Sequence, residues 1–339
     1  MDNYLVDVPV QINIWIRPDM QRRQFEVIRA AKPSILFVIS DGGRNEEEWE
    51  KISINRKIYE EEIDWECCIY KLYKNENIGL YAMLKEMHEL VWSKVDRCIF
   101  LEDDTIPSVS YFRFCAEMLE YYKDDKRIFM VCGVNQLGIS EDVNSDYFFS
   151  RYGAIQGTAM WKRSYEQFND FEYKNDSYIM NLLKKRTGKN KEHWKEIESV
   201  AKYGTYSGHV PADEFFFSFS NYGQNQVLII PKKNLICNIG VGNDAEHGDS
   251  LKRLPRSIRQ VYHMQTYEME FPLKHAKYVI PDIEYEKERN KILGVGHPGI
   301  CFLRKIERTL LVLGDLDFKY ILKKINLKLQ IKAGNVVEK

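Results

Sequence analysis

Apolar positions recur along this chain with two different spacings, and the switch between them marks its elements. Residues 8–16 place Val8, Val10, Ile12, Ile14 and Ile16 at every second position, the spacing of a strand. Arg17-Pro18-Asp19 breaks that period, and Asp19 can cap a helix running to Ala31, which Pro33 then stops. Residues 35–39 form a continuous apolar run, a second buried strand, closed by Ser40-Asp41-Gly42-Gly43-Arg44. Asn45 followed by Glu46, Glu47 and Glu48 resembles a capping box for a polar helix that reaches the region of Glu60. Residues 67–73 read as a strand and 75–79 as a loop. Leu80, Met83, Leu84, Met87, Leu90 and Val91 then share one helical face, and His88 beside them is expected to pack.

The next strand is the most informative. Ile99, Phe100 and Leu101 are a short apolar run that stops at three adjacent carboxylates, Glu102, Asp103 and Asp104, and Pro107 keeps it from continuing. Tyr111, Phe114, Cys115, Met118, Leu119 and Tyr122 follow at helical spacing, and residues 127–133 form another strand. Strands alternating with amphipathic helices imply an α/β fold: a doubly wound, mostly parallel (mixed) sheet flanked by helices. Beyond Asn135 the pattern loosens. Aromatic residues crowd 147–152, and residues 153–161 are small and glycine-containing up to Trp161. Residues 184–195 are basic and read as solvated. Asp213 and Glu214 precede Phe215, Phe216 and Phe217, and residues 227–230 and 235–238 suggest further strands. From about Pro272 the chain reads as a helical C-terminal appendage, so the expected domains are 1–271, with halves meeting near 135/136, and 272–339.

Composition narrows the function. The 339 residues are 44% hydrophobic and 13% aromatic, ample for a large core. A net charge of −1 gives a nucleic-acid partner no electrostatic support. Seven scattered cysteines without a CxxC pair argue against a zinc site or a disulfide framework and for a reducing compartment. No signal-peptide pattern and no apolar run of about 20 residues is present, so the chain reads as cytoplasmic.

Ligands of open α/β sheets bind at the carboxyl ends of the strands, where Glu102, Asp103 and Asp104 stand. Three packed carboxylates repel one another, and a divalent cation keeps them all ionised. Oxygen ligands beside open water suit Mg²⁺ or Mn²⁺ bridging to substrate phosphates. The plain alternative is that acids ahead of a helix only favour its N-terminus.

The run Ile99-Phe100-Leu101-Glu102-Asp103-Asp104-Thr105-Ile106-Pro107, followed by Tyr111-Phe112-Arg113-Phe114-Cys115, resembles the DxD-type metal motif of GT-A-fold glycosyltransferases. The nearest likeness is to bacterial family 2-like enzymes of surface-polysaccharide assembly. Ile16-Arg17-Pro18-Asp19, Ser40-Asp41-Gly42-Gly43-Arg44, Asn77-Ile78-Gly79, Gly133-Val134-Asn135 and the block from Asn238 to His247 are similar to further blocks of that family, in the same order. The likeness spans roughly residues 8–250, and the ordered set is far more specific than one acidic triplet.

The resemblance implies a metal-dependent transfer of sugar from a nucleotide-sugar, with UDP as the favoured carrier, to a saccharide or lipid-linked acceptor. Asp104 would ligate the metal, while Glu102 and Asp103 would meet the ribose or metal-bound waters. Asp41 would hold the base, Arg17 and Arg44 would frame base or phosphate, and Asn77 and Gly79 belong to the same donor side. His247 resembles a C-terminal histidine that completes the metal shell, which tilts the choice towards Mn²⁺. Asp213 or Glu214 takes the place of the catalytic base, with the order of the two acids reversed from the commoner pattern. Gly157 would let backbone approach the sugar, with Trp161 as an acceptor platform; a plain turn and a core tryptophan explain that segment as well.

A haloacid-dehalogenase-type phosphohydrolase would need its nucleophile at Glu102 and Thr or Val at Ile106, and is rejected. A sugar nucleotidylyltransferase lacks its glycine-rich loop here, and a non-catalytic sugar-binding subunit is the remaining alternative. Near the end of the chain, Phe318, Ile321, Leu322, Ile325 and Leu329 fall at helical spacing with Lys319, Lys323, Lys324 and Lys328 nearby. Such a helix can pack on the catalytic domain or rest on anionic lipid.

Overall fold

In the computed structural model, which describes residues 7–168, 172–188, 191–204, 213–241 and 251–314, the strands assemble around β1 (Val10–Asn13). After β1 the chain forms α1 (Pro18–Ala31) and then β2 (Ile35–Ser40), which lies parallel to β1. Next come α2 (Glu46–Glu61) and β3 (Cys68–Tyr73), parallel to β2 on its far side. After α3 (Leu80–Lys94) the chain returns to the other side of β1 as β4 (Arg97–Leu101). The connections from β1 and β4 therefore leave in opposite directions. In α/β sheets that point, at the carboxyl ends of the strands, is where ligands bind.

The remaining elements of the sheet unit are β5 (Thr105–Pro107), α4 (Val109–Tyr121), β6 (Ile128–Cys132), β7 (Tyr147–Ser150), β8 (Thr158–Trp161), α5 (Lys162–Phe168), β9 (Val227–Pro231) and β10 (Ile236–Asn238). Eight strands form one sheet in the order β3-β2-β1-β4-β8-β6-β9-β7. Only β8 and β7 run against the rest, so the sheet is mixed and mostly parallel, as the alternation of periods implies. β5 and β10 pair antiparallel as a separate ribbon, Thr105 opposite Asn238. The extended backbone therefore resumes for three residues past the acids before Pro107 ends it.

Burial explains these elements. Val10, Gln11 and Ile12 of β1 are covered on both faces, as a central strand requires. Phe25 of α1 meets Tyr59 of α2 edge to face at 5.3 Å, and Tyr111, Phe114, Cys115, Met118 and Leu119 form the buried stripe of α4. Asn45 caps α2 by accepting from the Glu48 backbone N–H at 3.0 Å, and Glu48 in turn accepts from the Arg44 N–H at 2.7 Å. Asp19 does not cap α1. Pro18 occupies the first helical turn, Arg17 is the flanking residue, and Asp19 contributes only its charge within that turn. His88 is buried, its Nδ1 accepts from the Trp92 indole N–H at 3.1 Å, and its ring stacks on Tyr165.

The chain divides into two compact units. The first holds both sheets and comprises Met1–Gln167, Gln224–Gly240 and Val261–Glu286. Residues 272–286 thus belong with the sheet and not with an appendage: Pro281 bridges to Phe149, and the buried Glu286 carboxylate accepts from the Arg151 backbone N–H and guanidinium. The second unit comprises Phe168–Gly223, Val241–Gln260 and Lys287–Lys339. Its described helices are α6 (Ser177–Thr187), α7 (Lys191–Tyr203), α8 (Asp213–Gly223), α9 (Arg256–Arg259), the later turns of α10 (Ile283–Leu293) and α11 (Pro298–Gly314). Leu183, Ile197, Val200, Phe215 and Phe219 make its small core, with Trp194 packed against it. The expected helix over 318–329 lies outside the described residues. Among the described residues, no helix is long and apolar enough to cross a membrane, and the seven cysteines are free thiols.

Candidate functional site

Glu102, Asp103 and Asp104 follow β4 at the switch point beside β1, and a buried polar network holds their backbone. Gln24 of α1 donates its amide to the carbonyl oxygens of Glu102 at 2.7 Å and Thr105 at 2.8 Å. Its Oε1 accepts from Gln21, whose amide also donates to the Tyr59 hydroxyl at 2.6 Å. Gln21, Gln24, Tyr59 and Thr105 are all at most 1% exposed, so these bonds are made in a low dielectric where losing one partner is costly. Gln24 is a positioning residue that sequence reasoning missed. The available signal was two glutamines three apart on the apolar face of Phe25 and Ile28.

The Asp103 and Asp104 carboxylates turn towards Arg17, the residue just ahead of α1. Its Nη1 lies 3.3 Å from Asp103 Oδ1 and 3.6 Å from Asp104 Oδ2. Asp104 Oδ1 also accepts from the Asn238 amide at 3.2 Å, and the Ile239 N–H donates to the Asp104 carbonyl at 2.9 Å. Burial raises the Asp104 pKa above the ordinary carboxylate value, while Arg17 and Asn238 oppose that rise. Arg17 and Asn238 thus favour the charged form of a carboxylate whose burial disfavours it.

Gly240 fits against Asp104 because it has no side chain: a Cβ there would overlap Asp104 Oδ2. Gly240→Ala is expected to push the Asp104 carboxylate out of place. Mn²⁺-dependent nucleotide binding should be lost in isothermal calorimetry while the circular dichroism spectrum stays that of the parent. Unaltered binding would show that Asp104 does not need its present position.

A second cluster forms at the ends of β2 and β3. Asp41 Oδ1 accepts from the backbone N–H groups of Gly42 at 2.8 Å and Ile78 at 3.0 Å. Its Oδ2 accepts from the Gly79 N–H at 2.9 Å and the Asn77 amide at 3.0 Å. Four donors fill the roughly four acceptor sites of a carboxylate. Asp41 therefore clamps the loop after β2 to the loop that starts α3, and a base-binding role for its carboxylate would have to displace one of these partners. Gly42 permits the close approach, since a Cβ would overlap the Glu76 backbone.

Arg44 ion-pairs with Glu48 at 2.6 Å and lies 4.8 Å over the Trp15 ring. Arg56, which no motif singled out, bonds to Ser40 Oγ at 2.9 Å and to the Lys74 carbonyl at 2.8 Å. Its guanidinium lies over the Trp49 and Tyr73 rings, and burial lowers its pKa. Arg56 ties β2 to β3 immediately behind the Asp41 clamp.

The other candidates separate. Gly157 precedes β8, and its carbonyl accepts from the Gly133 N–H at 2.8 Å. Trp161 pairs with Arg97, at the start of β4 and away from the acids; it is 5% exposed and donates its indole N–H to the Leu119 carbonyl. It is a core residue, and the acceptor-platform expectation is withdrawn because its face is covered. Asp213 is the half-buried first residue of α8 in the second unit, and Glu214 follows it in that helix. The Glu214 side chain and His247 lie outside the described residues.

Among the described residues, no three His, Cys, Asp or Glu side chains converge as a metal cage. Asp103 and Asp104 converge on Arg17 instead, so the position between them already attracts positive charge. A hard divalent cation bound through one or two carboxylates, with water and phosphate oxygens completing its shell, fits this donor set.

No family model matches the chain, and no curated protein matches it. Among solved structures, the chain is similar to the mannosyltransferase PcManGT from Pyrobaculum calidifontis in complex with GDP-Man and Mn²⁺. That likeness has 10% identity and a TM-score of 0.37, covering 98% of this chain and 84% of that one. It is also similar to a UDP-glucose pyrophosphorylase complexed with UDP-glucose, at 7% identity and a TM-score of 0.34, covering 68% of this chain and 91% of that one. At these scores neither likeness carries an argument, and the site rests on its own geometry.

Proposed function

We propose that this chain is a metal-dependent glycosyltransferase. It moves a sugar from a nucleotide-sugar, a UDP-sugar on the sequence resemblance, to a hydroxyl of a saccharide or lipid-linked acceptor of surface-polysaccharide assembly, with inversion. One observation carries this reading. The blocks around Arg17, Asp103 and Asp104, and Asn238 to Gly240 are far apart in sequence, yet they meet at the carboxyl-end switch point of β1 and β4.

Asp104, with Asp103 beside it and His247 as a further ligand, would hold Mn²⁺ or Mg²⁺. Bound there, the cation neutralises charge on the departing diphosphate. Arg17 presents guanidinium N–H donors that pair with phosphate oxygens as readily as with carboxylates. Asp41, Asn77 and Gly79 shape the donor loops through the clamp, and Arg44 borders them. Asp213 takes the proton of the acceptor hydroxyl. The acceptor oxygen bonds to the anomeric carbon, the bond to the diphosphate oxygen breaks, and the nucleoside diphosphate leaves with the electron pair.

Calorimetric titration of UDP and GDP with and without Mn²⁺ tests the donor assignment. Saturable binding that needs the cation is expected, and binding of neither nucleotide would remove it. Arg17→Ala should divide the two ligands. Mn²⁺ alone should bind at least as tightly, because a competing cation is gone. UDP should bind about tenfold more weakly, because a charge-assisted donor is gone. Weakened Mn²⁺ with unchanged UDP would reverse the assignment of Arg17.

A further inference from the structure

The 17-residue helix α11 leaves one face outward in its own unit. Phe302, Leu303, Ile306, Leu310 and Leu313 are 64%, 65%, 43%, 64% and 53% exposed. At 3.6 residues per turn these five positions fall within an arc of about 100°, so they form one stripe and not scattered contacts. The other side of the helix is tied down. Arg304 donates to Ser257 Oγ at 2.8 Å and to the Ile292 carbonyl, and Glu307 accepts from the Arg256 backbone N–H at 2.9 Å. These bonds fix the helix with its apolar stripe turned away from α9 and the end of α10. Contiguous exposed apolar surface of this kind marks a binding face.

Charge decides the partner. From residue 298 to 339 the sequence has nine basic and four acidic residues, a net of +5, although the whole chain has a net charge of −1. Within α11 itself Arg304, Lys305 and Arg308 stand against one acid, Glu307, and six basic and three acidic residues follow it in the sequence. Exposed Lys305 flanks the stripe directly. Apolar side chains on one helical face combined with local positive charge suit the interface of an anionic bilayer. Apolar residues there enter the headgroup boundary, and nearby Lys and Arg side chains add electrostatic attraction to the anionic lipid.

We propose that the Phe302–Leu303–Ile306–Leu310–Leu313 stripe of α11 docks the protein on anionic lipid bilayers. This holds independently of the sugar chemistry. The test is co-sedimentation of the full chain with vesicles of phosphatidylcholine alone and of phosphatidylcholine with phosphatidylglycerol. Binding to the anionic vesicles is expected, with little to the neutral ones and a decline at high salt. The double variant Leu303→Glu, Leu310→Glu replaces exposed positions, so its circular dichroism should match the parent, and its partition should fall about tenfold or more. A version ending at Gly314 should retain part of the binding, because the stripe remains. Three results would each overturn the proposal: recovery of the full chain in the supernatant with anionic vesicles, equal binding by the double variant, or a dimer in gel filtration that the double variant dissolves.

Discussion

Asp104→Asn should lose Mn²⁺-dependent donor binding while remaining folded. The change is nearly isosteric, and the amide oxygen can still accept from one of the two donors now on the carboxylate, the Asn238 amide or the Arg17 guanidinium. What disappears is the negative charge that a hard cation needs. Changes to the groups that hydrogen-bond to metal ligands commonly cost about 10–100-fold in affinity, and a direct ligand is expected to reach about 10²-fold or more. The neighbouring Asp103→Asn should cost less, because Asp103 is placed at the edge of the shell. Donor affinity with and without Mn²⁺, measured by calorimetry, separates the outcomes. Parent-like Mn²⁺ dependence in Asp104→Asn would remove the metal site from the acid turn.

Asp213→Asn should give the opposite pattern. Donor affinity should survive, because Asp213 is assigned to the acceptor hydroxyl and not to the metal or the nucleotide. The transfer rate should drop by about 10²–10⁴, the contribution of a general base. Glu214→Gln is the comparison, since the two acids are adjacent and the sequence leaves their roles open. Asp213 is half-buried at the first position of α8, where a carboxylate also favours the positive end of the helix. A purely structural role would therefore lower thermal stability and leave the turnover of folded enzyme unchanged. That result, or a greater loss in Glu214→Gln, would move the base elsewhere.

Local pattern carried the sheet well. Residues 35–39 and 99–101 are continuous apolar runs because β2 and β4 are covered on both faces, and burial of that kind is written in each segment alone. The acid turn was readable for the same reason: a buried strand that ends in three carboxylates needs an explanation wherever it lies. Pairings across long separations were not readable. The β5–β10 ribbon joins Thr105 to Asn238, and no periodicity near 105 announces a partner more than a hundred residues away.

Polar residues with buried partners were also hidden. Gln24 looks like a surface residue until the carbonyls of Glu102 and Thr105 are beside it. Asp41 read as a ligand residue from its place after β2, but its carboxylate is filled by donors from the α3 loop that a single segment cannot reveal. Trp161 read equally well as platform or core, and its pairing opposite Arg97 decided for the core. The boundary expected near 272 failed for a related reason. Residues 272–286 carry little apolar periodicity, yet Glu286 and Pro281 are bound into the sheet unit by a buried ion pair and a bridge.

The bond that breaks identifies the chemistry. Purified chain should be incubated with UDP-sugars and GDP-sugars and Mn²⁺, once with water or a saccharide acceptor and once with pyrophosphate, and the nucleotides resolved by chromatography. Cleavage at the anomeric carbon releases the nucleoside diphosphate, with a yield that depends on Mn²⁺ and is lost in Asp104→Asn. Formation of the nucleoside triphosphate and sugar phosphate from pyrophosphate, without nucleoside diphosphate in either incubation, would contradict the transferase assignment.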